Sequence, residues 1–237
     1  HILDIGGEST RPGARQPDLA EELARVLPVL RHAVTLGVPV SVDTSRPEVM
    51  QAALDLGVDI INDVRSLTRP GALTVVADHP RCGVCLMHMN GEPGVMQQAP
   101  HYEGDVVHGV ATWLAQRLAE VQAAGVASTR ITLDPGIGFG KLPVHNWALM
   151  QRQHELLVLG QPLLLGWSRK STLGALTGRP VGERLAASVA AALAAVQRGA
   201  SVLRVHDVAA TVDALAVWAA AGLPSALQTD NTPGKNP

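Results

Sequence analysis

The sequence predicts an α/β fold, in which a parallel β-sheet is covered by helices. Short apolar runs alternate with longer helical patterns along the whole chain, and no linker divides them. The 237 residues are 46% hydrophobic, which is enough to form one large core. Seven β-α units can be counted. That is one fewer than in a closed (β/α)8 TIM barrel, so we expect such a barrel with its first unit absent or truncated.

Each predicted strand is a short apolar run that ends in a polar residue or a glycine. Such runs are typical of strands buried on both faces of a parallel sheet. The predicted strands are residues 2–5, 38–42, 58–62, 83–88, 130–134, 162–166 and 201–205.

The predicted helices follow from apolar residues that recur every three or four positions, as in the segment from Leu19 to Val34. Ser45 and Glu48 with Pro47 between them predict a capped helix start, and Gly199 predicts a helix end. The helices are residues 17–35, 47–56, 71–78, 104–124, 146–157, 181–198 and 207–221.

A doubly wound open sheet is the competing architecture, but no GxGxxG sequence follows an early strand. The chain starts at His1 directly in an apolar strand and without Met, so we expect the gene product to be longer. We therefore predict one barrel domain over residues 1–222 and a flexible tail over residues 223–237.

Composition excludes several classes of protein. A net charge of −2 provides no basic field for nucleic acid or for an anionic membrane. No apolar stretch approaches the 20 or so residues that span a bilayer. Cys82 and Cys85 lack the further ligands of a zinc site, so we expect two reduced thiols and a cytoplasmic protein.

Polar residues follow all seven predicted strands. The carboxyl ends of barrel strands share one face, and active sites lie on that face. Asp43, Asn62 and Asp134 end three different strands. Such acceptors suit the N–H edge of a flat heterocycle, because each carboxylate can accept two hydrogen bonds, although they could instead bind a metal.

An anion pocket is predicted at the last two strand ends, where Lys170, Ser171, Arg204 and His206 lie. The glycine-rich sequence from Asp134 to Lys141 is not a Walker A loop, because its spacing is one residue short. Phe139, the only phenylalanine, lies within it. Its ring either anchors the loop in the core or contacts a substrate.

Seven short sequences together resemble dihydropteroate synthase, a family of pterin-binding TIM barrels. They occur in the family's order and cover nearly all of residues 2–221. The matching segments are residues 4–13, 41–45, 61–64, 86–89, 134–141, 168–171 and 204–207.

The resemblance implies an enzyme of folate biosynthesis and a sulfonamide target. It would join 4-aminobenzoate to a dihydropterin-methyl diphosphate and release diphosphate. It further implies Lys170, Arg204 and His206 as catalytic residues. The implied pterin-binding residues are Asp43, Asn62, Met87, Asp134 and Lys170. The implied diphosphate-binding residues are Thr10, Arg204, Val205 and His206. The implied aminobenzoate-binding residues are Arg11, Pro12, Phe139 and Ser171.

The resemblance also implies Mg²⁺ as cofactor and a homodimer. The family's first strand and loop carry the Asn expected to approach the metal. That segment should precede His1, so no metal ligand is expected in this chain.

Three other functions compete with this one. A non-catalytic pterin-binding paralogue is favoured by the missing first loop, whereas Lys170, Arg204 and His206 argue against it. A corrinoid-dependent methyltransferase on the same barrel should not carry this set of cations. A purely structural role is disfavoured by seven polar strand ends.

Overall fold

The computed structural model describes residues 1–10, 13–92, 96–97 and 100–223. Its centre is one parallel sheet of seven strands in the order β1 to β7, so each strand pairs with its neighbours along the chain. The predicted α/β fold with a parallel sheet is confirmed. The strands are β1 (Leu3–Gly6), β2 (Val40–Asp43), β3 (Ile60–Asp63), β4 (Gly83–Met87), β5 (Ile131–Asp134), β6 (Leu163–Leu165) and β7 (Ala200–Leu203).

Helices connect the strands and cover one face of the sheet. The helices are α1 (Leu19–Ala33), α2 (Pro47–Asp55), α3 (Ala72–Asp78), α4 (Val106–Ala123), α5 (Pro143–Gln151), α6 (Ser171–Thr177), α7 (Leu185–Gln197) and α8 (Val208–Ala220). No helix of the described ranges is both long and apolar enough to cross a membrane.

The hydrophobic core lies between the sheet and these helices. Val42, Ile61, Leu86 and Leu133 alternate with residues of the opposite face and are fully buried in it. Each such side chain contributes roughly 1.5–3 kcal/mol to folding. The same alternation directs the next side chain along each strand to the inner face, and the inner face therefore carries the polar residues.

Three details of the helices differ from prediction. Helix α2 begins after Arg46 with Pro47 in its first turn and has no side-chain cap, so the predicted capping by Ser45 is wrong. The Ser45 hydroxyl instead donates a hydrogen bond to Asp63. The segments predicted as residues 146–157 and 181–198 each form an α-helix joined to a short 3-10 helix.

The two edges of the sheet, β1 and β7, do not pair with each other in the described part of the chain. Ile2 and Leu3 beside the β1 edge are 45% and 38% exposed. Both cysteines are buried free thiols, as predicted. Residues 224–237, most of the predicted tail, lie outside the described residues.

Candidate functional site

Strand pairing brings the predicted polar residues to one edge of the sheet. Asp43 at the end of β2 is in register with Gly6 of β1 and with Asn62 of β3. Asp134 at the end of β5 is in register with Met87 of β4. Because neighbouring strands are under 5 Å apart, these side chains form a continuous patch on the inner face.

The end of β7 closes this patch against β1. The Arg204 guanidinium donates from Nε to Asp4 Oδ2 at 2.5 Å and from Nη2 to Asp43 Oδ2 at 2.9 Å. The Asn62 amide also donates to Asp4 Oδ2, at 3.3 Å. A residue 200 positions away from Asp4 therefore contributes one cation that two inner-face carboxylates share.

The carboxylates of this patch are shielded from water. Burial, and then the neighbouring charge of Asp4, raise the pKa of Asp43 to about 7 despite the opposing effect of Arg204. Burial likewise raises the pKa of Asp134, against the lowering effect of the Gly136 N–H and of Lys170. Near neutral pH, Asp43 can therefore accept hydrogen bonds as a carboxylate or donate one as an acid.

A glycine loop follows β5 and lies over the patch. Gly136, Gly138 and Gly140 all have positive φ, at 68°, 80° and 63°. A Cβ at Gly136 would collide with the carbonyl oxygen of His88, so only glycine allows this approach. The Gly136 N–H donates to Asp134 Oδ1 at 2.7 Å, which orients the carboxylate.

Lys170 lies beneath this loop after β6. Its ammonium is 4.4 Å from the centroid of the Phe139 ring, and burial lowers its pKa to about 8. The preceding residue, Arg169, has a left-handed φ of 59°. This conformation is held by ion pairing with Asp207 and by the Ser188 hydroxyl, which accepts from the Arg169 N–H.

A second lysine, Lys141, supports the same loop from within. Its ammonium donates to the carbonyls of Gly136 (2.9 Å) and Phe139 (3.1 Å) and lies 3.0 Å from His88 Nδ1. Burial lowers the pKa of Lys141 to about 7, and burial together with Lys141 lowers that of His88 to about 3. His88 is therefore neutral and accepts from the ammonium.

The remaining predicted residues surround this centre. His206 is exposed, and its Nδ1 lies 3.0 Å from the Ser168 hydroxyl. Ser171 is exposed at the first position of α6, next to Lys170. Met87 is buried at the end of β4, whereas Thr10 and Val205 are half-buried. Phe139 is also half-buried and so is not a core anchor. Arg11 and Pro12 lie outside the described residues.

Asp63 shows how alternation separates neighbouring residues. It follows Asn62 on the opposite face, where its carboxylate accepts from the backbone N–H groups of Arg65 (2.8 Å) and Leu67 (2.7 Å). It shapes the loop after β3 and does not face the patch.

Two residues of the site were not predicted as such. Asp4 lies two residues before Gly6, which ends its strand, and residues two apart in a strand share a face. This spacing could have predicted that Asp4 faces the site. Lys141 was considered only as part of a failed nucleotide-binding motif. Nothing in its local sequence indicates that it bonds His88, which is 53 residues away.

A metal was the alternative interpretation of the carboxylates. Among the described residues, no group of three or more His, Cys, Asp or Glu side chains could hold an ion. Asp4 and Asp43 are instead bonded to Arg204. The patch is therefore an array of hydrogen-bond acceptors beside cations.

Comparison with known proteins identifies the arrangement. Residues 1–206 match the family model described as pterin binding enzyme. The dihydropteroate synthase of Neisseria meningitidis serogroup B is 55% identical over 227 residues, which are 94% of this chain and 79% of that protein.

Solved structures of dihydropteroate synthases are also similar to this chain. A dihydropteroate synthase of Xanthomonas albilineans with 4-aminobenzoic acid has a TM-score of 0.88 and 51% identity, covering 94% of this chain and 80% of that one. The Burkholderia cenocepacia dihydropteroate synthase complexed with 7,8-dihydropteroate has a TM-score of 0.86 and 52% identity, covering 93% and 81%.

Proposed function

The chain belongs to the family of pterin-binding enzymes, and we propose that within it the protein acts as a dihydropteroate synthase. It is a transferase that joins (7,8-dihydropterin-6-yl)methyl diphosphate to 4-aminobenzoate, giving 7,8-dihydropteroate and diphosphate. One observation carries this proposal. The hydrogen-bond acceptors that suit the edge of a heterocycle and the cations that suit an anion lie at the same end of the sheet, and Arg204 is bonded to the carboxylates there.

The pterin would lie against the inner face of β2 to β5. Its guanidine-like N–H groups need acceptors, and Asp43, Asn62 and Asp134 provide them from the ends of β2, β3 and β5. Met87 offers an apolar surface to the ring, and Lys170 offers donors to its carbonyl side. Buried carboxylates are costly unless bonded; Asp43 and Asp134 are bonded to Arg204 and to the Gly136 N–H, and the N–H groups of the pterin would add further donors.

The diphosphate would lie at the end of β7. Arg204 and His206 are adjacent to the inner patch and partly exposed, and with Thr10 and the backbone of Val205 they form the proposed anion site. Neutralising the leaving group there lowers the barrier for breaking the bond between the methylene carbon and the diphosphate oxygen.

The aminobenzoate would approach across the glycine loop, with Phe139 beside its ring and Ser171 near its carboxylate. Arg11 and Pro12 are proposed for the same site. The amine nitrogen forms a bond to the methylene carbon, diphosphate leaves with the electron pair of the carbon–oxygen bond, and the nitrogen then loses a proton to solvent. Because an arylamine is a weak nucleophile, positioning and leaving-group neutralisation provide the catalysis.

We propose separately that the reaction uses Mg²⁺ as a cofactor; the described residues do not themselves form a site for it. The proposed binding steps use the protein's own cations. Product formation that stops with a chelator and returns with Mg²⁺ would support the ion, whereas product formation unaffected by the chelator would contradict it.

We also propose that the sheet is part of an eight-stranded barrel. Support comes from the unpaired edges of β1 and β7, whose carboxyl ends are nevertheless linked by Arg204 and Asp4, and from the exposed Ile2 and Leu3. The first β-α unit implied by the family would fill the gap. A natural gene product longer by about 30 residues, one unit of such a barrel, would agree with this proposal.

A homodimer is proposed from the exposed apolar side chains of α7 and α8, among them Leu185 (46%) and Val217 (70%). Light scattering would test this by giving the molar mass in solution. A mass corresponding to one chain would contradict it.

The function itself is tested by incubating the protein with both substrates and Mg²⁺ and measuring dihydropteroate by chromatography. We expect dihydropteroate and diphosphate in equal amounts. Asp134→Asn should abolish product, whereas Asp59→Asn is the matched control, because Asp59 accepts a backbone N–H of Val40 at the opposite end of the sheet. Pterin binding without product would indicate a non-catalytic binding protein instead.

A further inference from the structure

Arg204 is bonded to two inner-face carboxylates, Asp4 and Asp43. Of these two, only Asp4 has no proposed contact with either substrate. Its Oδ2 accepts from Arg204 Nε at 2.5 Å and from Asn62 Nδ2 at 3.3 Å. Its Oδ1 is buried and accepts no hydrogen bond from the described residues. A buried carboxylate oxygen without a partner is costly, so it marks a place where a donor is missing.

The proposed roles of Asp43 and Arg204 conflict in the structure. Arg204 Nη2 donates to Asp43 Oδ2 at 2.9 Å, yet Asp43 is proposed to accept from the pterin and Arg204 to hold the diphosphate. When Asp43 accepts hydrogen bonds from the pterin, Arg204 needs another carboxylate partner to stay between the two subsites. Asp4 already holds its Nε, and the free Oδ1 allows a bidentate pair with Nη2.

We propose that Asp4 is the positioning residue that keeps Arg204 between the pterin and diphosphate subsites when substrate engages Asp43. This inference rests on the proposed function. Asp4 also accepts from the Asn62 side-chain amide, so it contacts a proposed pterin-binding residue as well as Arg204. The same negative charge, however, opposes the binding of an anion at Arg204.

The charge of Asp4 therefore has two opposite effects. It supports turnover by holding Arg204, and it weakens the binding of a free anion at the same place. Asp4→Asn keeps the shape and one acceptor oxygen but removes the charge. We expect kcat to fall about tenfold, while the dissociation constant for inorganic pyrophosphate falls about threefold or more.

The experiment measures pyrophosphate binding by calorimetry and turnover with both substrates, for the wild type, Asp4→Asn and Asp59→Asn. The control loses the same charge and keeps the same acceptor on a carboxylate far from Arg204, and both of its values should match the wild type. A smaller variant, Asp4→Ser, repeats the charge removal should Asp4→Asn fold poorly.

Lower turnover together with tighter pyrophosphate binding would support the proposal, because a folding defect weakens both. Lower turnover with unchanged or weaker pyrophosphate binding would overturn it, as would unchanged turnover or a wild type that binds no pyrophosphate. Wild-type protein that binds pyrophosphate but makes no dihydropteroate would contradict the proposed function alone, and the binding comparison would still decide whether Asp4 opposes an anion at Arg204.

Discussion

Two of the chain's three lysines lie on either side of the same glycine loop, and they differ in what their ammonium groups contact. Lys141 is 2% exposed and donates to the carbonyls of Gly136 and Phe139 and to His88. Lys170 contacts the face of the Phe139 ring, and the hydrogen bonds of the described residues include none from its Nζ.

Burial alone therefore does not identify a functional lysine. Burial lowers the pKa of both groups, to about 7 for Lys141 and about 8 for Lys170. The donors of Lys141 are already used by the protein, so it is suited to hold the loop. No hydrogen bond between described residues uses those of Lys170, so they are suited to a ligand. Since the cost of an unused donor is removed when a ligand binds, the difference predicts distinct outcomes for the two substitutions.

The largest effect is expected for Lys170→Met. Product formation should fall about 100-fold or more in kcat/KM, as is typical when a donor aimed at a reacting substrate is removed. Stability should be maintained, because the substitution breaks no hydrogen bond among the described residues. Steady-state assays and urea unfolding of the same variant measure both. Kinetics within threefold of the wild type would show that Lys170 contacts no reacting group.

Lys141→Met should differ from Lys170→Met in that it lowers the stability of the protein. It removes the lysine donor from the His88 ring nitrogen and from the carbonyls of His88 and Phe139, whereas the Gly136 carbonyl still accepts from the Phe139 N–H, so we expect a loss of about 3 kcal/mol in the free energy of unfolding. Urea unfolding at pH 9, between the lowered and the ordinary pKa of Lys141, measures this loss where much of the contribution of Lys141 to stability is present. A variant as stable as the wild type would mean that the loop does not depend on this lysine.

Whether the role of each lysine could be predicted depends on how far apart in the sequence its contacts are. All seven strands were predicted to within two residues, because alternation of apolar runs and helices is a local property of the sequence. Lys170 was predicted from its place at a strand end together with the family resemblance. The contact of Lys141 with His88 joins residues 53 apart, and that of Arg204 with Asp4 joins residues 200 apart. Such pairs depend on sheet order and curvature, which no local pattern contains.

The pKa values of the lysines offer a direct comparison. Protein labelled with ¹³C at the lysine Cε carries three signals, since Lys235 is the only other lysine. We expect midpoints near 7 for Lys141 and near 8 for Lys170, both well below the ordinary value of a lysine. Lys141→Met and Lys170→Met assign the signals. Three midpoints near 10 would refute the burial of both groups.

These values also predict a pH dependence of stability. The pKa of Lys141 is lowered from 10.5 to about 7, so the unfolded chain binds more protons between these values. Its contribution is present above pH 10.5 and is lost as the pH falls through 7. Asp43, whose pKa is raised from 3.8 to about 7, contributes below pH 3.8, and this contribution is lost as the pH rises through 7. Urea unfolding of Lys141→Met should lack the first of these dependences.

The smallest effect is expected for Phe139→Leu, which keeps an apolar side chain but removes the ring that Lys170 faces. A cation–π contact at a partly exposed site contributes about 0.5–1 kcal/mol, so we expect a two- to fivefold rise in KM for 4-aminobenzoate. KM for the pterin diphosphate should change less, because the pterin is proposed to lie against the strands. The carbonyl of residue 139 still accepts from Lys141, so the free energy of unfolding should fall by no more than about 1 kcal/mol, the contribution of the cation–π contact. A larger loss of stability would mean that the ring, and not only the backbone, anchors the loop, and the two lysines would then differ less than their contacts indicate.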